Sequence, residues 1–180
     1  MTKITLATVL LAAPLAARAD IGLRVGGEAS IAYHNDAGTH VVTDNWPVGL
    51  DLMLSYWLPT SLISIDAELG EQWLLKDPSM RIGTVFRPGI RVSPPVLPIY
   101  LRGAIPINVE TNTPACPAGA ICSGRETFDL RLGAGITIPL VLFKIYIEGD
   151  ADFPLGGGTN APSAFSNWNL VLNGGLDFRF

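Results

Sequence analysis

The sequence predicts an all-β protein, an eight-stranded antiparallel up-and-down transmembrane β-barrel behind a cleaved leader. Three observations predict it. The 180 residues are 48% hydrophobic and only 16% charged, with a mean hydropathy of +0.35. Beyond the leader, however, no run approaches the roughly 18 apolar residues of a spanning helix. The apolar residues recur instead with period two in eight stretches, the period at which successive strand side chains point to opposite faces. The connections between stretches alternate between short turns and longer polar loops, so the two ends of the assembly differ. Composition removes other classes: 14 Pro and 19 Gly are too many for a helical bundle. The apolar content is too high for a disordered chain. A net charge of −4 and a pI near 5.0 argue against a nucleic-acid partner.

Residues 1–19 read as a secretory signal peptide. Lys3 supplies the positive start, and Ile4 to Ala16 form an apolar run of about 13 residues, short of the ~20 a spanning helix needs. Ala17-Arg18-Ala19 is a small-x-small cleavage site, which places Asp20 at the mature N-terminus. Residues 20–180 form one barrel domain, with a mature net charge of −6 once Lys3 and Arg18 are removed.

Eight strands can be read in chain order. In the first, Ile21, Leu23, Val25, Ala29, Ile31 and Tyr33 alternate with Arg24, Glu28 and His34. The second sets Trp46, Val48, Leu50, Leu52, Leu54, Tyr56 and Leu58 against Asp51, Met53, Ser55 and Trp57. The third sets Ile63, Ile65, Ala67 and Leu69 against Ser64, Asp66 and Glu68. In the fourth, Ile82, Thr84, Phe86, Ile90 and Val92 face away from Arg81, Arg87 and Arg91. The fifth has Ile99, Leu101, Ile105, Ile107 and Val109 against Tyr100, Arg102, Asn108 and Glu110. The sixth has Phe128, Leu130, Leu132 and Ile136 against Asp129 and Arg131. The seventh has Val141, Phe143, Ile145, Ile147 and Phe153 against Lys144, Tyr146, Glu148, Asp150 and Asp152. The eighth has Trp168, Leu170, Leu172, Leu176, Phe178 and Phe180 against Asn169, Asn173, Asp177 and Arg179. Pro88 and Pro106 fall inside strands and predict bulges or shifted boundaries there. Longer loops are expected near 34–45, 73–79, 111–127 and 154–167, and short turns near 59–61, 93–98 and 139–140.

Charge placement decides which face meets lipid. A soluble barrel with an apolar interior would carry its charges outside and favour Lys there, yet the mature chain has only Lys76 and Lys144. Glu71 is the one charge expected on the apolar face. Tyr33, Trp46, Trp73, Phe128, Phe153 and Trp168 fall at the loop ends of strands, and Tyr56, Phe143, Phe178 and Phe180 near the turn ends. Two aromatic girdles are what a membrane barrel presents at its two interfaces. The apolar face is therefore expected outside.

The chain ends Asn173-Gly174-Gly175-Leu176-Asp177-Phe178-Arg179-Phe180. Asn173, Gly175, Phe178 and Phe180 match the terminal-strand signal of Gram-negative outer-membrane proteins: polar, x, Gly, x, x, hydrophobic, x, aromatic. With the leader and the strand count, the mature chain resembles the small eight-stranded OmpA/OmpX-type barrels. The resemblance implies outer-membrane localisation, surrounding lipid and lipopolysaccharide, and recognition by the barrel-assembly machinery.

Eight strands enclose a space that side chains nearly fill. Arg24, Glu28, Asp51, Asp66, Glu68, Arg87, Arg102, Asp129, Arg131, Lys144 and Glu148 are expected to share it as an ionic network, because an isolated buried charge is costly. Such a network favours a plug over a narrow channel for ions or small solutes. An extracellular ligand at the four loops is a further expectation. Cys116 and Cys122, with five residues between them in an exported chain, are expected to form a disulfide. A lipid-modifying enzyme ranks third: His34 and His40, with Asp36, Asp44, Ser163 and Ser166, form no recognisable catalytic spacing. His34, Asp36 and His40 are equally weak as a metal site. No catalytic residue, metal or cofactor is assigned.

Overall fold

The computed structural model describes residues 20–35, 37–43, 46–59, 62–94, 96–111, 129–154 and 168–180. The leader, Cys116, Cys122 and Phe128 lie outside them. The elements are β1 (Asp20–Asn35), β2 (Gly38–Val41), β3 (Pro47–Trp57), β4 (Ile63–Leu74), β5 (Asp77–Val92), β6 (Ile99–Ala104), β7 (Ile107–Thr111), β8 (Asp129–Pro139), β9 (Lys144–Pro154) and β10 (Trp168–Arg179). Every pairing is antiparallel, in the order β10-β9-β8-β6-β5-β4-β3-β1, and β10 pairs back onto β1. β6 and β7 are two pieces of one wall strand, both on β5, and β2 lies on the end of β1. The ring is thus a closed barrel of eight staves; among the described residues β2 pairs only with β1 and β7 only with β5.

The alternation read from the sequence fixes the two faces. Along β3 the residues from Gly49 to Trp57 alternate strictly between buried and exposed, with Asp51, Met53, Ser55 and Trp57 inside and Leu50, Leu52, Leu54 and Tyr56 outside. Glycine makes room for the large inner side chains. A Cβ on Gly70 would sit 2.6 Å from Arg87 Nη1 and 2.7 Å from Asp51 Oδ1. On Gly26 and Gly135 it would overlap the Tyr146 and Tyr100 rings.

Three local features depart from the expected pattern. In β1 the pairing with β10 shifts between Ser30 and Ala32. This bulge reverses the parity of the rest of the strand, because one inserted residue exchanges the two faces. Tyr33 is then opposite Asn169, whose side chain donates inward to Ser30 Oγ, while His34 is opposite Trp168. Tyr33 therefore leaves the outer girdle for the inner face of the loop rim. In β4–β5 the register shifts on both sides of Trp73, which moves Arg81 from the expected inner face to the outer one. The loop expected near 73–79 is a tight turn at 75–76 between strands that extend further than their sequence suggests.

The prolines have a joint explanation. Ile105 donates its N–H to Pro88 O at 3.0 Å. The return bond from Pro88 cannot form, because proline has no N–H. Pro106 comes immediately after, so the ladder breaks at 105–106 and separates β6 from β7. Pro88 itself remains inside β5. The seventh stave starts at Lys144 rather than Val141, which sits fully exposed in the turn.

Candidate functional site: the charged lumen

The inward positions converge on a column of five guanidiniums and eight carboxylates. Arg24, Arg87, Arg91, Arg102 and Arg131 are each 4% exposed or less. Arg87, on β5, donates through Nη1 to Asp51 Oδ1 (2.7 Å) and to Glu68 Oε1, and through Nη2 to Glu28 Oε1 (2.6 Å). It thereby ties β5 to β3, β4 and β1. Arg131 crosses from β8, holding Asp152 in a two-pronged contact (2.6 and 2.7 Å) and Glu28 Oε2 at 3.0 Å. Glu28 thus joins two arginines from separate staves and also accepts from Gln72 Nε2.

Nearer the turns, Arg24 donates to Asp177 Oδ2 (2.9 Å), Glu148 Oε2 (3.2 Å) and the Tyr100 hydroxyl (3.1 Å). Its guanidinium lies over the rings of Tyr146 (4.4 Å) and Tyr100 (4.6 Å). Arg91 contacts Ser55, Ser64, Asp66 and Asp177 and lies over Trp57 at 4.8 Å. These aromatic platforms attract the cations through the ring faces and fill the volume between charged groups. Arg102 joins the two halves, reaching Glu68 (2.5 Å), Glu148 (3.5 Å) and Asp66 (3.7 Å).

Of the expected network, Arg24, Glu28, Asp51, Asp66, Glu68, Arg87, Arg102, Arg131 and Glu148 lie together in this column. Lys144 does not join it. It opens β9 at the turn rim, half-buried, and none of these lumen ion pairs includes it. Asp129 begins β8 opposite Pro154. Arg179, also expected inside, sits at the rim, where it pairs with Asp20 and lies over Trp57. Arg91, Asp150, Asp152 and Asp177 take full part, and the inward parity of their strands already marked them. The aromatic platforms under Arg24 and Arg91 were the feature a charge count overlooks. Their signal was available in Trp57, Tyr100 and Tyr146, large rings on an otherwise polar face.

The column's polar groups are tied to one another across the staves. Its hydroxyls at Ser55 and Ser64 are engaged by Arg91 and Asp66. At the loop rim, β2 puts Tyr33 opposite His40 and His34 opposite Thr39. Directly opposed residues share a face, so the two imidazoles lie on opposite faces of the hairpin. His40 stacks on Tyr33 (5.1 Å), and His34 stacks on Trp168 (5.4 Å) while its Nδ1 bonds Thr39 Oγ1 at 2.9 Å. They do not converge on one metal or one nucleophile. Asp36, Asp44, Ser163 and Ser166 lie outside the described residues.

Outside, Trp46, Tyr56, Phe143, Phe153, Trp168 and Phe178 sit near strand ends, with Phe143 and Phe178 in contact at 5.8 Å between rings. Trp46 and Tyr56, Phe143 and Phe153, and Trp168 and Phe178 are each ten positions apart. At ~3.3 Å per residue and a tilt of ~40°, that spacing is about 25 Å, the height of a membrane barrel's apolar band. The terminal residues divide in role. Asn173 donates inward to Asp150, and a Cβ on Gly175 would overlap the backbone of Val25 and Gly26. Phe180 is 76% exposed, and its N–H closes the seam by bonding Ile21 O at 2.9 Å.

A closed eight-stave antiparallel barrel with a charged interior and an apolar exterior is the fold of the small outer-membrane barrels. The chain is similar in fold to the crystal structure of Neisserial surface protein A, with a TM-score of 0.52 over 91% of this chain and 100% of that one. The two sequences are 11% identical, so the likeness is one of backbone architecture. No family model and no curated protein sequence matches the chain.

Proposed function

We propose that the protein is an integral outer-membrane barrel with a plugged lumen, acting without catalysis in envelope integrity or in surface interaction through its loops. The observation that carries this reading is the column of five buried arginines braced to carboxylates on separate staves. Outer-membrane lipid and lipopolysaccharide would surround the wall. The assembly machinery would read Asn173, Gly175, Phe178 and Phe180 after the leader is removed. A disulfide between Cys116 and Cys122 would stiffen the third loop as a binding knob. The runner-up is a narrow pore, and the excess of carboxylates over guanidiniums in the lumen would favour cations in it. A lipid-modifying activity has the least support, given the separation of His34 from His40.

The test is an epitope inserted between Cys122 and Phe128 and probed with antibody on intact Gram-negative cells producing the protein. Labelling of intact cells is the expected result. Labelling only after the outer membrane is permeabilised would contradict the reading.

A further inference from the structure

The barrel end opposite the loops is closed by three turns that lack ionisable side chains. Segments 58–62, 93–98 and 139–143 read Leu-Pro-Thr-Ser-Leu, Ser-Pro-Pro-Val-Leu-Pro and Pro-Leu-Val-Leu-Phe. Gly, Pro, Asn, Asp and Ser dominate turns for their backbone preferences and side-chain hydrogen bonds, and of these the three segments hold only Pro and Ser. Here the turns carry large apolar side chains that the fold leaves uncovered. Val141 is 100% exposed, Val96 89% and Leu142 84%, and Leu97, Leu140 and Phe180 are also exposed.

Two features of placement say what covers them. The turns join β3 to β4, β5 to β6 and β8 to β9, and the seam of β1 with β10 ends beside them, so the apolar tips are distributed around the whole ring. A globular partner docking on one side would call for one patch, whereas a surrounding lipid leaflet calls for a ring. The tips also continue the outer wall without a polar break. Leu54 and Tyr56 lead to Leu58, Leu101 and Ile99 lead to Leu97, and Ile145 and Phe143 lead to Leu142. Tyr56, Phe143 and Phe178 form the girdle on this side, and the tips lie only a few residues past it, within the depth of a headgroup layer.

We propose that this turn ring is an interfacial anchor. Leu62, Val96, Leu97, Val141, Leu142 and Phe180, exposed on the three turns and at the seam, insert among the headgroups and first methylenes of the phospholipid leaflet on that side. The barrel is then seated more deeply at its turn end than its strands alone require. The inference rests on the membrane reading of the barrel, and its test separates the two.

In the full mature chain with Cys116→Ser and Cys122→Ser, single cysteines replace Val141, Leu52 in mid-wall and Thr43 at the loop end. Each carries an environment-sensitive fluorophore. The proteins are reconstituted into phosphatidylcholine vesicles with brominated acyl chains, with iodide on both sides as the aqueous quencher. The Val141 probe is expected to behave like the Leu52 probe, blue-shifted, quenched by bromolipid and shielded from iodide, with the Thr43 probe showing the reverse. If Leu52 is quenched by bromolipid but Val141 is open to iodide, the anchor is overturned and the ring becomes a candidate protein-docking surface. If Leu52 itself is open to iodide, the membrane reading fails with it.

Discussion

The inner and outer faces of the same strands solve opposite problems with the same period-two alphabet. Inside, Arg87 touches Glu28, Asp51 and Glu68 and is 1% exposed. Outside, the bulge around Trp73 leaves Arg81 paired with Glu71, supported by Thr84, and both charged side chains are 37% exposed. Charge is structural only where water is excluded. Removing water from a charge makes its partner indispensable, whereas a half-exposed pair is replaceable by solvent and headgroups. Glycines obey the same division. Inner Gly135 faces the Tyr100 ring with no room for a Cβ, while a Cβ on outer Gly103 would meet only Leu132 Cδ2 at 3.8 Å.

Substitutions can set one face against the other, and their expected effects run from large to small. Arg87→Leu takes from Asp51 its buried cation and from Glu28 and Glu68 one of two, and should cost about 3–5 kcal/mol, read as a lower urea midpoint for loss of the heat-modifiable band. An unchanged midpoint would show that the column does not brace the barrel. Leu52→Arg puts a charge on the lipid side near the midplane and should cost about 2–4 kcal/mol, measured by refolding yield into vesicles. Insertion at the wild-type yield would mean the faces are assigned inside out. Gly135→Val should cost ~1–3 kcal/mol by overpacking against Tyr100, while Gly103→Ala should be neutral or slightly stabilising. Equal urea midpoints for those two variants would remove the distinction between a crowded interior and an open exterior. Arg81→Gln should change stability by no more than about 1 kcal/mol, and a loss as large as that of Arg87→Leu would refute the contrast between buried and half-exposed charge.

The face of most residues was legible in the sequence because alternation is a local property. Asp51 beside Leu52 and Met53 beside Leu54 need only the pleat. Partners were not legible. Arg87 and Glu28 are 59 positions apart, and they meet because two registers and the barrel's closure bring them together. Bulges were not legible either, since an inserted residue leaves no composition mark. The bulge near Ile31 exchanged Tyr33 with His34, and the one beside Trp73 carried Arg81 outside. Asp77-Pro78-Ser79 has the composition of a loop, yet it opens β5, with Asp77 paired to Leu74 of β4. The prolines were legible as trouble, but the meeting of Pro88 with the 105–106 break between β6 and β7 required the pairing.

The central claim is that the arginine column closes the lumen, and planar-bilayer conductance of the refolded, heat-modifiable protein tests it most directly. A silent bilayer is expected for the wild-type chain. Discrete single-channel steps that disappear when Arg87 or Arg131 is altered would contradict it, and would make the column the lining of a pore.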